Sequence, residues 1–134
     1  MKNNGGMTLV EVLVAMAIVF IVFLGMSSAG LVVLDQNIRN SQRDEAVSIA
    51  EMELENVRTL SFAAIADNNY VATRKIRGLN VAYNVATTVA NPNGSTPATD
   101  PNNRRVTVGV TWSRIENQQT KTYNHTVLTI VRSR

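Results

Sequence analysis

The sequence predicts an α+β fold in which one long N-terminal helix packs against a small antiparallel β-sheet. Three observations lead there. Val12 to Leu34 holds no charged residue. Apolar residues at helical spacing then continue to about Leu60 with no Pro or Gly from Asp35 onward. From Leu79 the apolar period switches to two, the period of a half-buried strand.

The apolar run comes first. At ~1.5 Å rise per residue, the 23 positions from Val12 to Leu34 make a helix of roughly 35 Å, enough to cross a hydrocarbon core of about 30 Å. Glu11 stands at its start. An ionised carboxylate in such a segment costs on the order of 2.5 to 3.5 kcal/mol near the bilayer centre and less toward the interface, so it needs a partner. The order of parts is unusual for a targeting signal. A secretory signal peptide is cut after its apolar region, whereas here Lys2 and the pair Gly5-Gly6 precede it.

Gly6 followed by Met7-Thr8-Leu9-Val10-Glu11-Val12-Leu13-Val14-Ala15 resembles the class III signal of type IV prepilins and type II secretion pseudopilins. The resemblance implies that a membrane peptidase cuts between Gly6 and Met7, that Met7 is then N-methylated, and that the apolar helix stays on the mature chain. It also gives Glu11 a role in assembly, neutralising the free amine of a neighbouring subunit's Met7. Such a desolvated pair offsets a cost that neither charge bears alone. The plain alternative is a hydrated Glu11 at the headgroup level.

Four segments follow from this reading: a leader at 1–6, a membrane and assembly half of the helix at 7–34, an amphipathic half at 35–60, and a β-sheet head at 61–134. The implied fold is type IV pilin-like. In 134 residues there is room for one small soluble domain beyond the span. With no cysteine, disulfides and thiolate metal sites are excluded. The net charge of +3 divides unevenly, with −3 from Met1 to Leu60 and +6 from Ser61 to Arg134. Lys2 favours a cytoplasmic leader and a translocated C-terminal part.

Gly25, Ser27, Ser28 and Gly30 interrupt the apolar run with small residues that let membrane helices approach closely. With no proline there, a continuous helix is expected, loosened at Gly25 and Gly30. Beyond Asp35, Ala46, Ala50, Leu54 and Val57 recur at three or four residue spacing, flanked by Val47, Ile49 and Met52. Asp35 with Arg39, and Glu55 with Arg58, are spaced as surface pairs. Glu45, Glu51, Glu53 and Glu55 read either as a solvated face or as a docking surface for basic neighbours. Arg43 to Glu55 is also similar to the corresponding stretch of PilV-like minor pilins and of the I-type minor pseudopilins.

Leu60 to Asn69 reads as a loop with a turn signal at Asn68-Asn69. Strands are expected where Leu79, Val81, Tyr83 and Val85 alternate, again at Val106, Val108, Val110 and Trp112, and at Thr126, Leu128 and Ile130, with a further strand over Tyr70 to Arg77. Ala90 to Asn103, holding all three prolines, is expected to be a mobile loop. Glu116 to Gln119 is expected to be a hairpin turn. The segment Arg105 to Trp112 resembles the strand ending in tryptophan in PilV-like proteins, with Trp112 in the core. The amphipathic half of the helix is the obvious cover for the sheet's apolar face.

No catalytic constellation emerges, and the chain is read as no enzyme, with no cofactor. His125 is the only histidine. Asp100 in its loop could bind calcium only with help from backbone carbonyls, and a solvated loop is the simpler reading. Arg74, Lys75, Arg77, Arg104, Arg105, Arg114, Lys121, Arg132 and Arg134 raise a nucleic-acid reading, as for a DNA-binding pilin-like protein of competence. No aromatic residues are interleaved with them, and alternation would place them on the solvent face, so nucleic acid is not taken as a partner.

What the resemblance implies as a whole is a minor pilin that takes part in initiating assembly of a type IV pilus. Its partners are prepilin peptidase, the bacterial inner membrane, and other pilin or pseudopilin subunits met through the N-terminal helix. Before assembly its head lies in the periplasm. The alternatives are a minor pseudopilin of a type II secretion system, the competence protein above, and an ordinary exported domain cut after Ser27-Ser28-Ala29.

Overall fold

The computed structural model describes residues 8–116 and 118–133. Its elements are one long helix α1 (Leu9–Thr59), a single 3-10 turn (Phe62–Ala64), and four strands, β1 (Asn68–Ile76), β2 (Leu79–Ala90), β3 (Asn103–Glu116) and β4 (Gln119–Arg132). This is the α+β, type IV pilin-like arrangement that the sequence predicts. The chain divides into two compact units, Met1–Asn37 and Ile38–Arg134, and the boundary falls inside the helix.

In the first unit α1 is unbroken through Gly25 and Gly30. Ser27 Oγ donates to Phe23 O at 3.0 Å, so that hydroxyl is satisfied one turn back. A methyl group at Gly25 or Gly30 would meet nothing within 4 Å. The expected loosening at these glycines is not found.

In the second unit the helix buries Gln42, Ala46, Ile49, Ala50, Glu53 and Val57, a stripe at three and four residue spacing. Leu54 is half-buried, and Met52 is exposed. The stripe packs on the inner face of a four-stranded antiparallel meander in the order β1-β2-β3-β4. That face presents Val81, Tyr83, Val85, Thr87 and Val89 from β2, and Val106, Val108, Val110 and Trp112 from β3. Tyr83 is fully enclosed and donates to the backbone oxygen of Gln42 at 3.0 Å, tying strand to helix. Trp112 sits between Tyr83 and Tyr123, with ring centroids 5.9 and 5.7 Å away. It lies in the core, as expected.

Four expectations need correction. Asn68-Asn69 is no turn. It begins β1, paired with Thr87 and Ala86. The tight turn lies instead at Arg77-Gly78, where both residues take positive φ (48° and 89°), the mirror-image geometry that matches strand twist. Leu79 then closes that hairpin and is exposed.

The second correction concerns β4. Thr126, Leu128 and Ile130 face outward, and the inner face is formed by Tyr123, Val127 and Val131, all half-buried. Directly opposed residues share a face. Val108 opposes Val127 and Trp112 opposes Tyr123, which places the odd-numbered residues inside; Thr107 and Arg105 oppose Leu128 and Ile130 outside. Both parities of β4 carry apolar residues, so alternation alone does not choose between them.

The third concerns the 91–102 loop. Asn91 Oδ1 accepts from the backbone amides of Thr99 and Asp100 at 2.8 and 2.9 Å, and Asn91 Nδ2 donates to Ser95 Oγ and Pro97 O at 2.9 and 3.0 Å. Asp100 Oδ1 accepts from the amides of Asn102 and Asn103 at 2.8 and 2.7 Å. The loop is therefore organised by its own side chains, as Asx turns are.

The fourth concerns the head's charges. Arg74, Arg104, Arg114 and Lys121 share the strand parity of the inner face, where alternation had been expected to send them to solvent. Arg74 Nε meets Glu45 Oε1 at 3.0 Å. Arg104 Nη1 donates to the carbonyls of Phe62 and Ile65 at 2.7 and 2.8 Å, with its guanidinium 4.5 Å above the Phe62 ring. Lys121 Nζ lies 3.3 Å from Glu116 Oε2.

Candidate functional site

The N-terminal end of α1 carries the residues that the sequence singles out. The cleavage pair Gly6 and Met7, like the leader 1–6, lies outside the described residues. Thr8 precedes the first helical residue and Glu11 sits three positions later, the spacing of a capping box. Glu11 N donates to Thr8 Oγ1 at 3.3 Å, and Thr8 N donates to Glu11 Oε2 at 3.4 Å. These are long bonds. They nonetheless satisfy two amide groups that a helix start leaves open. A negative charge in the first turn also meets the positive end of the helix dipole. Thr-x-x-Glu was legible as this motif from the sequence, although the acidic residue draws attention first to its charge.

Apart from Glu11, the helix from Leu9 to Leu34 presents apolar side chains all round. Leu9, Val10, Met16, Phe20, Ile21, Phe23 and Met26 are each mostly exposed, and so is nearly every other large apolar residue to Leu34. A helix apolar on every side is built to be surrounded by lipid or other helices. This is the one helix among the described residues long and apolar enough to cross a membrane.

The head holds two buried carboxylates that the sequence did not reveal. Glu53, 7% exposed, was read within the acidic run of the helix surface, yet it turns into the sheet. It accepts from Tyr70 Oη at 3.0 Å and from Thr87 Oγ1 at 3.2 Å. Burial, and then the bond to Glu53, raise the Tyr70 hydroxyl above its usual pKa. The signal was position, since Glu53 falls in the spacing of Ala46, Ile49, Ala50 and Val57.

Glu116, also 7% exposed, ends β3. Tyr123 Oη donates to its Oε1 at 2.7 Å, Arg39 Nη2 lies 3.3 Å from the same oxygen, and Lys121 lies on the other. The tyrosine hydrogen bond foremost, with Lys121 and Arg39 behind it, holds this carboxyl below its ordinary pKa. The same hydrogen bond, and then burial, raise the Tyr123 hydroxyl against the opposing pull of Arg39 and Lys121. Beside it a cavity of about 380 Å³ is lined by Arg39, Arg43, Trp112, Tyr123 and His125 among others.

No group of three or more His, Cys, Asp or Glu side chains able to hold a metal ion occurs among the described residues. Asp100 spends one carboxylate oxygen on two backbone amides, which hold its pKa down. The nucleic-acid reading loses its basis for Arg74, Arg104 and Lys121, whose charges are engaged within the head.

Comparison with known proteins adds one finding: residues 1–27 match the prokaryotic N-terminal methylation motif. No curated protein and no solved structure matches the chain. The matched segment covers the expected leader and the expected cleavage pair, the Thr8–Glu11 box and most of the apolar run. It supports a place for this chain in the type IV pilin-like superfamily, whose class III signal implies processing by prepilin peptidase and assembly with other pilins.

Proposed function

We propose that this chain is a minor pilin, a structural subunit that takes part in initiating a type IV pilus. The observation that carries the proposal is the start of α1. A capped, acidic first turn opens directly into a helix apolar on all sides, within a segment that matches the N-terminal methylation motif. In this reading the peptidase cuts between Gly6 and Met7, Met7 is methylated, and the helix holds the subunit in the inner membrane with its head in the periplasm. The subunit then enters the fibre.

Glu11 acts twice in this scheme. Before assembly it closes the helix cap on Thr8. In the fibre it receives the amine of a neighbour's Met7, and the two charges leave water together. The free energy of assembly comes from burying the apolar surface of the stem, at ~25 cal/mol per Å². The absence of cysteine and the resemblance of Arg43 to Glu55 to minor subunits favour a minor over a major pilin.

The experiment is the intact mass of the chain recovered from cells with and without prepilin peptidase, followed by fibre incorporation of Glu11→Ala. Loss of residues 1–6 with one added methyl group, and a severe loss of incorporation by the variant, are expected. A mature chain that still begins at Met1, or one cut after Ala29, overturns the proposal, as does a variant that enters fibres normally. Deleting the gene separates the two machines, since loss of surface pili marks the pilus and loss of protein secretion marks a pseudopilus.

A further inference from the structure

Two hairpin tips lie at the end of the head where the chain enters it. In an antiparallel meander the β1–β2 and β3–β4 turns fall at one end and the β2–β3 connection at the other. The entering turns of α1 mark which end this is. Arg39, five residues beyond Leu34, lies 3.3 Å from Glu116 at the end of β3. Glu45, six residues further along the helix, meets Arg74 two residues before β1 ends.

The tips are separate and unusually apolar. The β2–β3 ladder ends with Tyr83 opposite Trp112, so residues 79–82 and 113–116 run on as parts of two independent hairpins. Ile115 on the second hairpin is 74% exposed, more than any other large apolar residue described in the head, and Leu79 on the first is 57% exposed. Cations surround both. Lys75 and Arg77 are exposed beside Leu79, and Arg43 is exposed one turn beyond Arg39. Next to Ile115, Arg39 and Lys121 both close on the buried Glu116, which leaves that corner net positive. The other carboxylates at this end are Asp44, which is exposed, and Glu45, which is spent on Arg74. Exposed apolar side chains ringed by cations suit the interface of an anionic bilayer, where the apolar groups enter the acyl boundary and the cations meet phosphate.

We propose that, while the subunit is held in the membrane, these two tips rest on the bilayer surface and engage anionic phospholipid. Leu79 and Ile115 enter the headgroup layer, and Lys75, Arg77 and Arg43 meet lipid phosphates. This rests on the reading of α1 as the span, since the apolar run ends five residues before Arg39 and so tethers this end of the head beside the lipid. A subunit leaving for the fibre must lift both tips, so the lipid contact is a resting state that assembly has to undo.

The chain has no cysteine, so a single introduced cysteine carries a fluorescent dye to a chosen point. The full chain is placed in nanodiscs of phosphatidylcholine, with or without phosphatidylglycerol, that also hold a phosphatidylcholine spin-labelled either near its headgroup or deep in its acyl chain. Quenching of the dye is read. The tip sites are Asn80→Cys, opposite Lys75, and Thr120→Cys, opposite Ile115; Asn102→Cys reports the far loop and Phe20→Cys the apolar run. With phosphatidylglycerol present, the headgroup label is expected to quench both tip sites several-fold more than Asn102→Cys. Adding Lys75→Glu, Arg77→Glu and Ile115→Asp together should bring the tip sites down to the level of Asn102→Cys. Deep-label quenching at Phe20→Cys with none at the tips overturns the proposal and leaves the span standing, whereas no quenching at Phe20→Cys overturns both. Tip quenching that is equal without phosphatidylglycerol also overturns it.

Discussion

Glu53 offers the sharpest test of how the head is held together. Its carboxylate is buried beneath the helix and accepts hydroxyls from Tyr70 and Thr87. Thr87 is 1% exposed and has no solvent to turn to, whereas Tyr70 is partly exposed. Replacing Glu53 by alanine leaves the Thr87 hydroxyl buried without its acceptor, which costs about 1 to 3 kcal/mol, and opens a small cavity. Thr87→Val in the natural background removes one donor from a buried carboxylate and should destabilise by about 1 to 3 kcal/mol. In the Glu53→Ala background the same change removes an orphaned hydroxyl and should be neutral or stabilising. A double-mutant cycle thus predicts that the cost of Thr87→Val disappears or reverses when Glu53 is absent. The assay is denaturant unfolding of the full chain in detergent, followed by the emission of Trp112, the only tryptophan and a resident of the core. Equal costs of Thr87→Val in both backgrounds would refute the assigned contact.

Two further predictions concern pH. Glu116 has a folded pKa lowered by Tyr123, Lys121 and Arg39, so its contribution is fully present above the unfolded carboxyl value of 4.5 and is lost as pH falls through the lowered value. Glu116→Gln should flatten that acid limb of the Trp112 unfolding curve, and an unchanged limb speaks against the cluster. Tyr83 has the opposite sign. Burial, then the charge of Glu45, push its hydroxyl from 10.0 up to about 12, so its contribution is present below pH 10 and is lost as pH rises toward 12. Tyr83→Phe should cost about 0.5 to 1.5 kcal/mol at neutral pH through the lost bond to the Gln42 carbonyl and should remove this alkaline decline. A variant that keeps the decline places its origin elsewhere.

Much of this protein was legible because its strongest signals are long and one-dimensional. An apolar run from Val12 to Leu34 needs no partner to declare itself, and an uninterrupted helical period from Asp35 predicts the rest of α1. The strand β3 was equally clear, because Val106, Val108, Val110 and Trp112 occupy one parity and the other parity is polar or small. The motif matched over residues 1–27 was readable for the same reason. Its pattern is carried by neighbours in sequence.

Tertiary structure decided what sequence distance hides. β4 has apolar residues on both faces, so only its register with β3 settles that Val127 turns inward and Leu128 outward. The acidic run of the helix became three different things. Glu45 pairs with Arg74 from β1, Glu53 is buried under two hydroxyls, and Glu51 and Glu55 stay in solvent. The basic head proved to spend Arg74, Arg104 and Lys121 on partners 5 to 42 residues away, contacts that composition cannot express. The physical reason is common to all of these. Periodicity states which side chains share a face, and only the packing of one face on another states what each polar group meets there.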